Sequence, residues 1–91
     1  MKYILAYTLK QETRNTAIAR FLKTGGLPPK GATLHGRWNR IDLAGGFLLV
    51  ESDESTALAE FCRDWSDVCD LQLMPVMEDA ETARVLKGLK K

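Results

Sequence analysis

Apolar side chains are grouped in four short, strand-like segments and recur at helical spacing in three others. Near-alternation is typical of strands, whereas recurrence at i, i+3, i+4 and i+7 is typical of a helix with one buried side. The pattern predicts strands at Tyr3–Leu9, Ala32–Trp38, Gly45–Glu51 and Cys69–Met77. It predicts helices over Arg14–Lys23, from Ser52–Ser55 to Trp65, and from Glu78 through Leu89. The resulting order is βαββαβ with an appended helix.

Residue types that commonly begin and end helices support these boundaries. Thr13 stands at the N-cap position of the first helix, and Gly25-Gly26 follows it, where glycine adopts the left-handed conformation at little cost. The second helix has the most regular apolar stripe, formed by Leu58, Phe61, Cys62 and Trp65. Acidic residues open the second and third helices, and basic residues suit the end of the third, namely Lys87, Lys90 and Lys91.

This order predicts an α+β, ferredoxin-like fold over residues 1–91 as a single domain. In that arrangement a four-stranded antiparallel sheet carries both long helices on one face. A sheet covered on one side should alternate apolar and polar residues. The third strand instead directs Phe47 and Leu49 to one side and Leu48 and Val50 to the other. Both faces are therefore apolar, and we expect the face without helices to pack against a second copy in a homodimer.

Composition narrows the classes of protein that the chain can belong to. Thirteen Lys and Arg against twelve Asp and Glu give a formal net charge of +1, without the basic excess of a nucleic-acid-binding domain. The apolar fraction of 45% is too high for a disordered chain. The apolar run at the N-terminus is too short for a signal peptide, and no stretch is long enough to span a membrane. We therefore expect a cytoplasmic protein with neither nucleic acid nor membrane as partner.

The sequence contains no pattern typical of a metal, cofactor or nucleophile site. Cys62 and Cys69 are the only cysteines, His35 is the only histidine, and no CxxC or CxxH spacing occurs. A disulfide or a reactive thiol is one interpretation of the cysteines, and two reduced, buried side chains are the other. The phosphate-binding patterns GxGxxG and GxxxxGK and the nucleophile-elbow motif are also absent. We therefore predict no cofactor and no metal.

Two short motifs in a fixed order resemble an uncharacterised bacterial family. Gly36-Arg37-Trp38 ends the second strand, and Gly45-Gly46-Phe47 opens the third. With the strand pattern, they resemble a domain-of-unknown-function family in the dimeric α/β-barrel superfamily, over the full length of the chain. The turn Asn39–Ala44 departs from that pattern because it is bulkier and more apolar. The resemblance implies two sheets packed face to face in a homodimer, with pockets between sheet and helices. It implies no single activity, since the superfamily includes cofactor-free monooxygenases, isomerases and members with no known activity.

A polar pair on the second strand is the main candidate for chemistry. His35 and Arg37 are two residues apart, so we expect both side chains on one face, about 7 Å apart at their Cα atoms. Arg37 can bind a carboxylate or an enolate through paired hydrogen bonds, and His35 can transfer a proton near neutral pH. Alternatively, this strand is a solvated edge strand whose charges discourage pairing, with Arg37 bound to an acidic residue such as Glu51.

Three aromatic residues complete the candidate binding set with His35 and Arg37: Tyr7, Trp38 and Trp65. We expect Trp38 on the side opposite Arg37, together with Leu34. Each tryptophan can line an apolar cavity or simply pack in the core or the dimer interface. The leading hypothesis is a homodimer that binds a small, partly apolar or aromatic molecule between sheet and helices. One alternative is a non-catalytic interaction or scaffold subunit. Another is a cofactor-independent monooxygenase or isomerase, with His35 as base and Arg37 stabilising an anion.

Overall fold

A computed structural model of the protein describes residues 1–88, over which the predicted order of elements is confirmed. The strands are β1 (Lys2–Leu9), β2 (Ala32–Asn39), β3 (Gly45–Ser52) and β4 (Cys69–Val76). The helices are α1 (Arg14–Thr24), α2 (Ser55–Trp65) and α3 (Asp79–Lys87). The predicted extension of the last helix to Leu89, with Lys90 and Lys91, lies outside the described residues.

The four strands form one sheet in the order β2-β3-β1-β4, and each neighbouring pair is antiparallel. Helix α1 connects β1 to β2, and α2 connects β3 to β4. The two βαβ units therefore interleave, which confirms the predicted α+β, ferredoxin-like fold. Over residues 1–88, no helix has the length and apolar character that crossing a membrane requires.

Helix α1 begins and ends close to the predicted residues, but its N-terminus is capped differently. A turn of 3-10 helix at Gln11–Thr13 precedes α1, and the side chain of Thr13 makes no capping hydrogen bond. At the other end, Gly25 has a φ of 75° and donates its backbone N–H to the carbonyl oxygen of Phe21 at 2.7 Å. The left-handed conformation that glycine allows therefore ends α1 where the sequence predicts.

The core lies between the sheet and the helices α1 and α2. Its main cluster joins residues of β1, β3 and α2, namely Leu5, Leu48, Val50, Leu58 and Phe61. A second cluster joins α1 to the start of β4 through Ala17, Val68 and Cys69. Trp65 of α2 packs against both clusters, as do Tyr7 of β1 and Leu71 of β4, so the helix and the sheet together connect them.

The opposite side of the sheet, which we call the open face, is also apolar. Its central residues come from all four strands: Ile4, Ala6, Trp38, Phe47, Leu49, Met74 and Val76. Helices α1 and α2 lie on the other side, and Trp38 and Phe47 remain 52% and 45% exposed. The predicted two-sided apolar sheet is therefore confirmed.

An ion pair connects α1 to the segment that follows α2. Arg20 donates two hydrogen bonds to the carboxylate of Asp67, at 3.0 and 2.7 Å, and a third to the carbonyl oxygen of Asp64 at 2.9 Å. Its guanidinium carbon lies 5.2 Å from the centre of the Trp65 ring, within the range of a cation–π contact. Arg20 therefore fixes the position of Trp65 as well as neutralising Asp67.

We predict that Asp67→Asn reduces the loss of unfolding free energy that the protein shows as the pH falls below 5. The hydrogen bond from Arg20 lowers the pKa of Asp67, and the charge of Arg20 adds to this effect. A carboxyl whose pKa is lower in the folded state contributes stability above its unfolded pKa, about 3.9, and loses that stability as the pH falls through the folded pKa. Urea unfolding from pH 5 to pH 2 should therefore show a smaller loss of stability in the variant. In an Arg20→Gln background the same substitution should change the slope much less, because only the backbone hydrogen bond and the charge of Lys10 then lower the pKa of Asp67. An unchanged slope in the wild-type background would contradict the prediction.

Candidate functional site

A pocket of about 280 Å³ lies between the sheet and the helices α1 and α2. Its floor is formed by sheet residues such as Leu5, Leu48 and Leu71. Helix α1 contributes Ala17, Ile18 and Phe21, and α2 contributes Phe61 and Trp65. The lining is therefore mainly apolar and includes aromatic rings from both helices.

A β-bulge in β2 determines which polar side chains reach this pocket. Leu34 is paired with Val50 and Gly36 with Leu49, so His35 is an additional residue in β2. Arg37 is then paired with Leu48, and both side chains face the helices. The expectation that His35 and Arg37 share a face is wrong, because the bulge interrupts the alternation between them. For the same reason Leu34 lies on the side of Arg37 and not on that of Trp38.

Arg37 is half-buried at the end of α1. Its guanidinium donates a hydrogen bond to the carbonyl oxygen of Gly25 at 2.9 Å and another to that of Gly26. The guanidinium carbon lies 5.2 Å from the centre of the Phe21 ring. Carbonyl oxygens at the C-terminus of a helix carry partial negative charge, which favours a cation there. The expected ion pair between Arg37 and Glu51 is not formed, because Glu51 lies on the open face.

Tyr7 reaches across β3 to the edge strand. Its hydroxyl group donates a hydrogen bond to Oδ1 of Asn39, although β3 separates β1 from β2 in the sheet. Gly46 is the β3 residue paired with both, and a Cβ at Gly46 would lie 2.9 Å from the Tyr7 hydroxyl oxygen. The missing side chain of Gly46 therefore provides the space through which the tyrosine passes. The ring of Tyr7 lines the pocket.

Burial changes the acid–base properties of three groups that line the pocket. It raises the pKa of Tyr7, while the nearby charge of Arg37 acts in the opposite direction. It lowers the pKa of Arg37, with Tyr7 partly compensating. It also raises the pKa of the Cys69 thiol. The phenol and the thiol are therefore neutral near pH 7, and Cys69 is a small apolar part of the wall.

The structure brings three of the five candidate binding residues to the pocket. Tyr7, Arg37 and Trp65 line it. His35 and Trp38 lie on the other side of the sheet, so His35 has no route to act as a base on a molecule in this pocket.

The open-face pair has its own partners. His35 Nε2 lies 2.7 Å from Glu51 Oε1, and this hydrogen bond lowers the pKa of Glu51. The indole ring of Trp38 stacks on the ring of Phe47, with 5.4 Å between ring centres. His35 and Trp38 thus belong to the same surface as the exposed apolar residues of the open face.

Sequence reasoning missed Asn39, Phe21 and Phe61 as pocket residues. The sequence predicts Asn39 in a turn, yet it is the last residue of β2 and lies two residues after Arg37 on the same side. The helical spacing places Phe61 on the buried side of its helix but does not show that it lines a cavity. Phe21 belongs to the first helix and also lines the pocket. Across residues 1–88 no group of three or more His, Cys, Asp or Glu side chains is arranged to hold a metal ion.

We predict that Gly46→Ala destabilises the fold and disrupts this end of the pocket. The new Cβ would lie 2.3 Å from the backbone oxygen of Trp38 as well as against the Tyr7 hydroxyl, so backbone must move. Overpacking of this kind costs about 1–3 kcal/mol in the free energy of unfolding, measured by urea titration. Gly88→Ala is the matched control, since its Cβ would approach only the Val85 oxygen, at 3.3 Å, and the helical φ of −66° suits alanine. Equal effects of the two substitutions would contradict the prediction.

Comparison with known proteins identifies a family but no characterised relative. The chain matches the family model described as a domain of unknown function, DUF3303, over residues 1–90. No curated protein matches the chain. Since the family model covers nearly the whole sequence, the protein belongs to the DUF3303 family of domains of unknown function.

Proposed function

We propose that the protein binds a small, partly apolar or aromatic molecule in the pocket between the sheet and the helices. The observation that carries this proposal is the cavity itself, about 280 Å³ in volume. Protein interiors are packed as densely as organic crystals, so unfilled space of this size beneath two helices is unusual. This volume is close to the smallest volumes of known ligand pockets, about 300 Å³.

The chemistry of the lining supports a ligand with an apolar body and a polar group. Phe61 and Trp65 offer aromatic surface, and Leu71 and Cys69 extend the apolar wall toward β4. Arg37 and Asn39 stand on β2, at the opposite edge of the sheet from β4. A few polar groups within an apolar lining are typical of sites that fix the orientation of a small molecule.

Filling the pocket from α1 tests this function. Ala17 lines the pocket and is 2% exposed, so in Ala17→Met the longer side chain occupies ligand space. Ala19, on the same helix, is exposed, and Ala19→Met is the matched control. With 2-naphthamide as a neutral aromatic probe in calorimetric titrations, we expect binding to weaken about tenfold, or ~1.4 kcal/mol, in the first variant only. Failure of the wild-type protein to bind the probe at millimolar concentration would contradict the proposal, as would equal affinities in all three proteins.

We further propose that the open face packs against the same face of a second copy, as in the dimeric α/β-barrel superfamily. Large apolar patches are rare on monomeric proteins, and Trp38 and Phe47 are 52% and 45% exposed on this one. A two-fold dimer brings the same patch of both copies together, so the apolar surface of each copy is buried by that of the other. A short chain with a thin core also gains stability from such an interface.

The same surface favours a second candidate function, a non-catalytic interaction subunit whose role is the assembly. A dimer whose pocket binds no small molecule would support this function over the first. Calorimetric measurement of ligand binding and measurement of the particle mass therefore distinguish the two candidate functions.

A charged side chain introduced on the open face should dissociate the proposed dimer into monomers. Phe47→Glu places a carboxylate at the centre of the interface, where its desolvation is unfavourable. We expect the wild-type protein to sediment at about 20 kDa at micromolar concentration, twice the chain mass of 10.2 kDa, and the variant at the chain mass. Leu22→Glu is the control, because Leu22 is 78% exposed on α1 and away from the sheet. A wild-type particle of the chain mass, or equal dissociation of the control, would contradict the dimer.

A further inference from the structure

The pocket contains a positive charge that no carboxylate neutralises among residues 1–88. The hydrogen bonds of the Arg37 guanidinium go to two backbone carbonyl oxygens, those of Gly25 and Gly26, and it forms no ion pair in the described part of the chain. Arg20 provides the contrast, since it packs on an aromatic ring in the same way but is paired with Asp67 at 2.7 Å. The carbonyl oxygens of Gly25 and Gly26 carry only partial negative charge, so a full counter-charge beside this half-buried cation would add stability.

The guanidinium has hydrogen-bonding capacity left for a ligand. An arginine side chain carries five N–H donors, and the two carbonyl oxygens use two of them. Asn39 adds further capacity on the same side of β2. Its Oδ1 accepts the Tyr7 hydroxyl, and its Nδ2 group donates to no residue in the described range. The side chains of Arg37 and Asn39 therefore have N–H donors at the β2 edge of the pocket that no described residue accepts.

From this arrangement, and on the basis of the proposed binding function, we infer that the occupant is an anion with one carboxylate group. The carboxylate binds the remaining N–H groups of Arg37, and the apolar or aromatic body lies toward Phe61 and Trp65. Hydrogen bonds between ions are about twice as strong as neutral ones, and an apolar surrounding strengthens them further. The volume of about 280 Å³ limits the apolar part of the ligand to the size of a single ring or of two fused rings.

A set of matched probes tests the charge without changing the protein. The probes are 2-naphthoate, 2-naphthamide and 2-naphthylmethylammonium, which share one aromatic body and carry charges of −1, 0 and +1. In calorimetric titrations of the wild-type protein at pH 7, we expect 2-naphthoate to bind about ten- to a hundredfold more tightly than the amide. The ammonium should bind most weakly of the three, because it meets the charge of Arg37.

Two arginine variants test which residue supplies the preference. In Arg37→Gln, 2-naphthoate should bind no more tightly than 2-naphthamide. Arg63→Gln is the matched control for net charge, because Arg63 is exposed on α2, pairs with Asp64 and does not line the pocket. The preference for the carboxylate should be intact in this control. If Arg37→Gln does not fold, the wild-type comparison of acid with amide still decides whether the pocket prefers an anion.

The outcomes separate this inference from the binding function on which it rests. Equal affinities for acid and amide in the wild-type protein would overturn the anion inference and leave the binding function standing. Binding of none of the three probes would overturn both. Loss of the acid preference in Arg63→Gln as well as in Arg37→Gln would attribute it to the overall charge, and would overturn the role of Arg37.

Discussion

One additional residue in β2 determines the chemistry of both sides of the sheet. In an uninterrupted strand the side chains of His35 and Arg37 would point to the same face of the sheet. Either both or neither would then line the pocket. The bulge reverses the alternation after His35, so that Arg37 and Asn39 face the helices while His35 pairs with Glu51 on the open face. A shift of one residue exchanges the two faces of a strand. The polar groups of the pocket therefore depend on how β2 pairs with β3, and not on the order of residues in β2 alone.

The fold was predictable because its signals are local. The spacing of Leu58, Phe61 and Trp65 requires only that a helix bury one side, and Gly25 ends α1 through its own backbone conformation. Alternation in β3 likewise identified both of its apolar faces before any partner strand was known. These features depend on neighbours within a few positions along the chain, which the sequence displays directly.

The site was predictable only in part because its geometry depends on distant residues. Trp65 lies on the buried side that the helical spacing predicts, because its place in the apolar stripe depends only on residues of α2. The position of Arg37 depends on a bulge that only the pairing with β3 defines. The partner of Tyr7 depends on the space above Gly46, and the acceptors of Arg37 belong to the end of α1. The contact of Tyr7 joins strands 32 positions apart, and the other two depend on how neighbouring elements pack in space, so a local sequence pattern does not show them.

The contact between Arg37 and the glycines that follow α1 has a consequence for recognition. A free arginine side chain loses roughly 2 kcal/mol of rotational entropy when it is fixed in one conformation. Here the carbonyl oxygens of Gly25 and Gly26 and the ring of Phe21 already hold the guanidinium in place. Much of that ordering cost is met when the chain folds, so an arriving ligand meets a preorganised group. For the carboxylate ligand proposed above, the loop after α1 would therefore raise the affinity by holding the guanidinium rigid.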